Sequence, residues 1–345
     1  MQMIGFRWSS LCLGFCFGLA MAGCQSVDST PALQRFTYAE LHMATVFRIV
    51  MYAPDQAAAD HGAELAFNRI KALDDMMTDY DPQSELMRLC RQPAGTPVQV
   101  SSDLFDILAQ SKLVSETTGG AFDVTVGPII RLWRTARKTR VLPTEEAVSE
   151  ARRAVGCKRL VLDFSKHTVT LTVPGMKLDL GGIAKGLAAD QALAILKSDG
   201  LDRAMVAASG DIALGAPPPG RSGWSIGIAS IDHPEEGLTR EVKLRNAAVS
   251  TSGDTEQYVE INGRRYSHIV NPETGMGLTE RIGVTIVAPN ATTSDSLATA
   301  VSVLGARRGL ELVESLPRTA ALIVMLSKDG KQAVESSRFK RIEEK

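Results

Sequence analysis

Four groups of residues in this chain have types and spacings that suit chemistry. The first is Leu178-Asp179-Leu180-Gly181-Gly182-Ile183-Ala184-Lys185-Gly186. Residues 176–180 read as a short strand and Gly181 with Gly182 as a tight turn. Ile183, Leu187, Ala188, Ala192, Ile195 and Leu196 then recur at helical spacing up to Gly200. A helix that starts straight after a glycine turn offers unpaired N–H groups to an anion. Asp179 and Lys185 bring one charge of each sign to the same place. Alone, the glycine pair is equally a βα turn that needs glycine for backbone reasons. The second group is Asp295 and Thr299, four apart near the start of a helix and therefore on one face. A carboxylate and a hydroxyl become a Mg²⁺ site when a backbone carbonyl and substrate phosphates complete an octahedral shell. They are otherwise a helix-dipole aspartate and a threonine bonded back along its helix. The third is Tyr266-Ser267-His268-Ile269-Val270-Asn271-Pro272-Glu273-Thr274-Gly275, where His268 precedes a Pro/Gly turn. The fourth comprises Ser250-Thr251-Ser252-Gly253-Asp254 and Ser209-Gly210-Asp211, polar loops of ligand-binding type or plain turns.

Several chemistries are excluded. No G-x-G-x-x-G follows a strand, and no G-x-x-x-x-G-K-[ST] is present. Serine-hydrolase and zinc-protease readings lack their G-x-S-x-G and H-E-x-x-H motifs. With 38 basic and 39 acidic residues, the net charge of -1 gives no basic face for nucleic acid. Aromatics at 5% are too sparse for a base-stacking platform.

The elements that must position these groups are legible in outline. Residues 36–53 read as a strand pair with Met43-Ala44-Thr45 between its halves, and residues 56–78 as a long helix. Ser84 begins a short helix, and Ser102 is the expected cap of a helix ending at Gly119-Gly120. Gly127-Pro128 and an apolar turn to Trp133 follow, and the basic run 134–140 reads as solvated surface. Thr144 caps a helix to about residue 155, and residues 160–173 form a hairpin. Residues 203–215, 223–230, 281–288 and 319–326 read as strands, and residues 258–269 as a hairpin turning at Asn262-Gly263. Residues 293–305 and a following stretch are helical, and a last strand follows residues 328–331. Helices interleaved with hairpins predict an α+β fold with mixed and antiparallel sheets and flanking helices, the ligand site lying in a cleft between two subdomains.

The N-terminus reads as an export signal. Arg7 precedes an apolar run from residue 11 to 22, closed by Ala22-Gly23-Cys24. The run is short for a membrane span. The junction resembles a bacterial lipobox, which implies cleavage before Cys24 and lipid on its thiol. The expected organisation is a signal peptide at 1–23, a tether at 24–35 and a catalytic domain of two interleaved subdomains at 36–340. The mature protein would be lipid-anchored in a cell membrane and face the periplasm. Cys90 and Cys157 are the cysteines left for the folded part; they permit one disulfide and require none.

Taken in order, the motifs resemble the bacterial FAD:protein FMN transferases, the ApbE family. Besides the four groups above, they include Met43-Ala44-Thr45, Tyr80-Asp81-Pro82-Gln83-Ser84-Glu85-Leu86 and Gly120-Ala121-Phe122-Asp123-Val124-Thr125-Val126-Gly127-Pro128. The resemblance implies FAD as substrate, Mg²⁺ as metal and an acceptor Thr or Ser on a partner, with flavoprotein subunits of membrane respiratory complexes as candidates. It implies flavin-ring contacts at Met43 and Tyr80, and further FAD contacts at Ala121, Phe122, Asp123, Asp179 and Lys185. It also implies a pocket wall at His268 and Ile269, and metal ligands at Asp295 and Thr299. The carbonyl expected to complete the protein's share of the shell is that of Gly182 rather than Ala184, because a carbonyl inside a helix is already engaged. His268 or Asp254 would take the acceptor proton. An FAD pyrophosphatase and a non-catalytic flavin carrier are the alternatives. The family usually has glycine where Ala44 and Ser209 stand, which predicts a displaced backbone at the first and an altered loop approach at the second.

Overall fold

Alternating burial along residues 45–53 shows how the fold begins. Phe47, Ile49 and Met51 are buried on one face of this strand and Val50 on the other, so it sits inside a sheet covered on both sides. The computed structural model describes residues 32–229, 238–253, 257–327 and 330–343; Cys24 and Asp254 lie outside these described residues. Residues Leu33–Lys345 cluster as one compact unit.

Eight strands form the main sheet, and their spatial order is their chain order. They are Gln34–His42, Thr45–Ala53, Ala204–Ala208, Asp211–Leu214, Ala247–Gly253, Arg281–Ala288, Ala320–Ser327 and Gly330–Glu335. Every neighbouring pair is antiparallel. The sheet is therefore a meander, and helices and small hairpins are insertions between its strands. Helices Gln56–Met77 and Ala184–Ser198 cover one face at its N-terminal end, and Ala291–Ser315 covers the same face further along, over Val284 and Ile286. The ribbon Trp224–Ala229 and Leu238–Leu244 and the helix Ser337–Glu343, through Phe339, pack on the opposite cluster that includes Val50, Val249 and Leu322. The α+β expectation with antiparallel sheets and flanking helices holds. Cys90 and Cys157 are buried and unbonded to each other. No helix among the described residues is long and apolar enough to cross a membrane.

Several local expectations are corrected. Residues 176–180 are not a strand: Lys177 makes a single parallel bridge to Val126. The neighbouring N–H groups bond elsewhere, Leu178 to Cys90 Sγ and Asp179 to Val124 O. Residues expected as an apolar turn and a solvated run form one helix, Gly127–Thr139, which buries Ile129, Trp133 and Ala136 at helical spacing. The cap of Ser102–Thr117 is Ser101, whose hydroxyl accepts from the Leu104 N–H. Residues 250–253 finish a strand rather than forming a loop. Helix Ala291–Ser315 starts earlier than expected, because Asn290 supplies its cap, and it kinks at Gly305, where φ is 73°.

The two unusual residues fall on left-handed backbone, where glycine is cheapest. Met43 and Ala44, at φ 48° and 57°, close the first hairpin, and pairing continues unbroken from His42↔Thr45 to Gln34↔Ala53. Ser209 has φ 56°, and Gly210 keeps the close approach: a Cβ there would lie 2.7 Å from Thr251 O. Both turns are therefore closed with a side chain in the left-handed region. Ala44→Gly should raise stability by up to about 1 kcal/mol, since a Cβ in this region costs about 1–2 and glycine's extra unfolded-state freedom returns part of that. Thermal melting checks this; an unchanged or lower midpoint means the turn is not strained.

Candidate active site

A cavity of about 550 Å³ opens between the sheet and the segment inserted between its second and third strands. From the inserted segment come Tyr80, Ala121, Phe122, Asp123, Asp179, Gly182 and Lys185; from the sheet side come Met43, His268, Ile269, Asp295 and Thr299. The structure therefore brings together every site residue expected from sequence that lies within the described residues.

The glycine turn is built by contacts rather than by unusual backbone. Neither Gly181 nor Gly182 has positive φ. Asp179 Oδ1 accepts from the Gly181 N–H at 2.9 Å, and a Cβ at Gly182 would lie 3.1 Å from Thr299 Oγ1 and 3.3 Å from Phe122. Four residues on, a Cβ at Gly186 would collide with Ala291 O at 2.2 Å, so glycine there lets two helices touch. The anion-binding expectation needs trimming. Ile183 and Ala184 N–H groups donate to Leu180 O, and Gly186 N–H donates to Asp295 Oδ2 at 3.0 Å. The N–H groups of Gly182 and Lys185 are left to a ligand. Because Gly186 N–H turns to Asp295, the Gly182 carbonyl lacks its usual helical partner.

Asp295 is 2% exposed and sits in a charged cluster. Lys185 Nζ is ion-paired with Asp211 and lies 3.8 Å from Asp295 Oδ2. Burial, and then the Asp211 charge, push the Asp295 carboxyl up to about 7; Lys185 and the Gly186 N–H oppose them. Burial pulls Lys185 down, but Asp295 and Asp211 outweigh it and hold the ammonium above its ordinary value. Asp190 anchors the helix that carries Asp295: its carboxylate accepts from the N–H groups of Ala291 and Thr292 and from Thr292 Oγ1. Serines of that helix bond back a turn, Ser296 to Thr292 O and Ser302 to Ala298 O, whereas Thr299 makes no such bond. Asp295, Thr299 and Gly182 line one cavity, where the carboxylate, the hydroxyl and the Gly182 carbonyl are the available oxygen donors. Among the described residues no cluster of three His, Cys, Asp or Glu exists that would hold a metal unaided. The set fits a hard cation whose shell a phosphorylated ligand completes.

Met43, Ala121, Phe122 and Ile269 are the apolar part of the cavity lining. Met43 is fixed by its N–H donating to Asp74 at 2.7 Å. Phe122 and Ile269 are buried in the wall, and Ala121 beside them is 9% exposed. The Tyr80 ring is 76% exposed at the rim. Asp123 is spent on structure: it accepts from Thr125 N–H and Oγ1 and from Cys157 N–H. His268 Nδ1 donates to Gln257 O at 3.0 Å. Sequence reasoning missed Arg134, whose guanidinium pairs with Asp79 and with Asp179 and lies 4.5 Å from the Tyr80 centroid. The Gly-Pro start and the Ile129, Trp133, Ala136 spacing were the available signal for its helix. Asp211 falls in a stretch whose sequence reads equally as a polar ligand-binding loop or a plain turn.

The sequence model of the ApbE family matches residues 43–323. This chain belongs to the ApbE family. It is 32% identical over 323 residues to the FAD:protein FMN transferase of Treponema pallidum, covering 89% of each chain, and 31% identical to that of Haemophilus influenzae, covering 94% and 95%. The crystal structure of the ApbE protein of Thermotoga maritima superposes with a TM-score of 0.81 at 31% identity, over 90% of this chain and 99% of that one. The flavin transferase ApbE of Vibrio cholerae gives the same TM-score at 29% identity.

Proposed function

We propose that this chain transfers the FMN portion of FAD to a Ser or Thr hydroxyl of a partner protein and releases AMP. The observation that carries this reading is that Asp295, Thr299, Gly182 and Lys185 line one cavity together with Met43 and Tyr80. The apolar end suits the faces of an isoalloxazine. The N–H groups of Gly182 and Lys185, with the Lys185 ammonium, suit the pyrophosphate. The acceptor oxygen attacks the FMN phosphorus, the bond to the AMP oxygen breaks, and the acceptor proton passes to a base. His268, which lines the cavity, and Asp254 are the two candidates for that role. Mg²⁺, when held by Asp295, Thr299 and Gly182, supplies charge neutralisation on the attacked phosphate and the leaving group. The protein's own share is to hold the pyrophosphate in line and to keep one proton acceptor in place.

The test is incubation of the chain from residue 25 with FAD, Mg²⁺ and flavoprotein subunits of membrane respiratory complexes, read by in-gel flavin fluorescence. A fluorescent acceptor band that survives denaturation supports transfer. Free FMN and AMP without a labelled acceptor would instead identify a pyrophosphatase. Unaltered FAD after Mg²⁺ addition would identify a carrier.

We also propose that residues 1–23 are removed, that Cys24 carries lipid and that residues 24–35 tether a catalytic domain of two interleaved subdomains, 36–340, to a membrane facing the periplasm. The Ala22-Gly23-Cys24 junction after an apolar run supports this. Cys24→Ala should leave the precursor unprocessed or release the protein from the membrane fraction. If it fractionates and migrates like wild type, the anchor is not there.

A further inference from the structure

Arg134 joins the two ends of the cavity, and no sequence motif pointed to it. Helix Gly127–Thr139 carries it inward, held by the buried Trp133 and Ala136. Its guanidinium makes three contacts. One nitrogen pairs with Asp79, the other meets Asp179 Oδ2 at 3.0 Å, and its plane lies 4.5 Å from the Tyr80 ring centroid. Tyr80 has little else to hold it, since its ring is 76% exposed. Asp179 in turn accepts from the Gly181 N–H and so shapes the glycine turn.

We infer that Arg134 is a positioning residue that presents the Tyr80 ring to the flavin and offsets part of the charge of Asp79 and Asp179, so that an anionic pyrophosphate can sit beside them. This rests on the FAD reading above. The two tasks need different properties. Offsetting carboxylate charge needs a positive charge, which lysine also has. Reaching both carboxylates while backing an aromatic face needs a planar fork, which lysine lacks. Without Arg134, two largely buried carboxylates would face an incoming anion with only Arg137 left to offset Asp179.

The experiment measures dissociation constants of riboflavin, which has the ring and no phosphate, and of ADP, which has the pyrophosphate and no ring, at fixed Mg²⁺. Wild type, Arg134→Lys and Arg134→Met are compared. Arg134→Met should weaken ADP about tenfold and riboflavin about fivefold. Arg134→Lys should restore ADP to within about twofold of wild type and leave riboflavin weak. A purely structural role would move both ligands together in both variants. The inference is overturned if lysine rescues both ligands, if it rescues neither, or if methionine changes neither. Should Arg134→Met not fold, the split in Arg134→Lys decides the question alone. A wild type that binds neither ligand instead refutes the FAD reading itself.

Discussion

Asp295→Ala should lower Mg²⁺-dependent turnover of FAD by about a thousandfold or more, the size of effect expected when several kcal/mol of charge stabilisation is lost. The structure explains why this residue is both costly and needed. Its carboxylate is almost fully buried, has Asp211 as a near neighbour, and is opposed only by Lys185 and one N–H. A carboxyl raised from 3.8 to about 7 keeps its proton in the folded state where the unfolded chain has already lost it. In the absence of divalent cation, stability should therefore fall as pH rises from about 4 to about 7, and this residue should contribute no further change above that. Asp295→Asn, which keeps an acceptor for the Gly186 N–H and cannot ionise, should melt higher than wild type at pH 8, with the gap closing towards pH 4. A bound cation favours the ionised form. Mg²⁺ at about a hundredfold excess over its Kd should thus raise the wild-type melting midpoint by about 5 °C at pH 8, by less at pH 6, and not in Asp295→Asn. Thr299→Ala should weaken both turnover and the Mg²⁺ shift without removing them. If Asp295→Ala unfolds the protein outright, or if Asp295→Asn keeps the full Mg²⁺ shift, Asp295 is a structural group and the cation is elsewhere.

Residues whose signal is local were legible. The hairpin about Met43 and Ala44, the helix Gln56–Met77, the caps at Ser84 and Thr144 and the hairpin turning at Asn262 and Gly263 are written in periods and turn residues within a short window. Asp295 and Thr299 were readable as a pair because a helix fixes what four residues of separation means. Arg134 was not, because its partners Asp79 and Asp179 stand 55 and 45 positions away and only the tertiary fold brings them to it. Within its own neighbourhood it belongs to a basic run, and most such runs are solvated. Residues 176–180 alternate like a strand, yet their backbone groups bond to Cys90, Val124 and Val126 at irregular intervals, which no pattern within the segment reveals. The anion-binding power of the glycine turn was overstated for the same reason. A carboxylate from residue 295 takes one of its N–H groups, and that loss is what opens the Gly182 carbonyl.

The largest separation between ligands should come from comparing Tyr80→Ala with Lys185→Ala. Tyr80 stands exposed at the cavity rim and touches Arg134 rather than the core, so its removal costs the fold little. Its ring offers stacking worth about 0.5–1.5 kcal/mol beyond simple burial. Tyr80→Ala should weaken FAD and FMN alike, by about tenfold, and leave ADP nearly unchanged. Lys185 is different in kind. It lies between Asp211 and Asp295, so its loss removes a cation from the pyrophosphate and also leaves two buried carboxylates facing it. Breaking such an arrangement costs about 3–5 kcal/mol. Lys185→Ala should therefore weaken FAD and ADP together, by about a hundredfold, and lower the melting midpoint as well. Buried charges are screened little, so this loss should persist at high ionic strength. Titration calorimetry of FAD, FMN and ADP against the two variants decides the orientation of the ligand. If Tyr80→Ala harms ADP as much as FMN, the isoalloxazine does not lie at the Met43 end. If Lys185→Ala spares ADP while weakening FMN, the ligand runs through the cavity in the opposite sense.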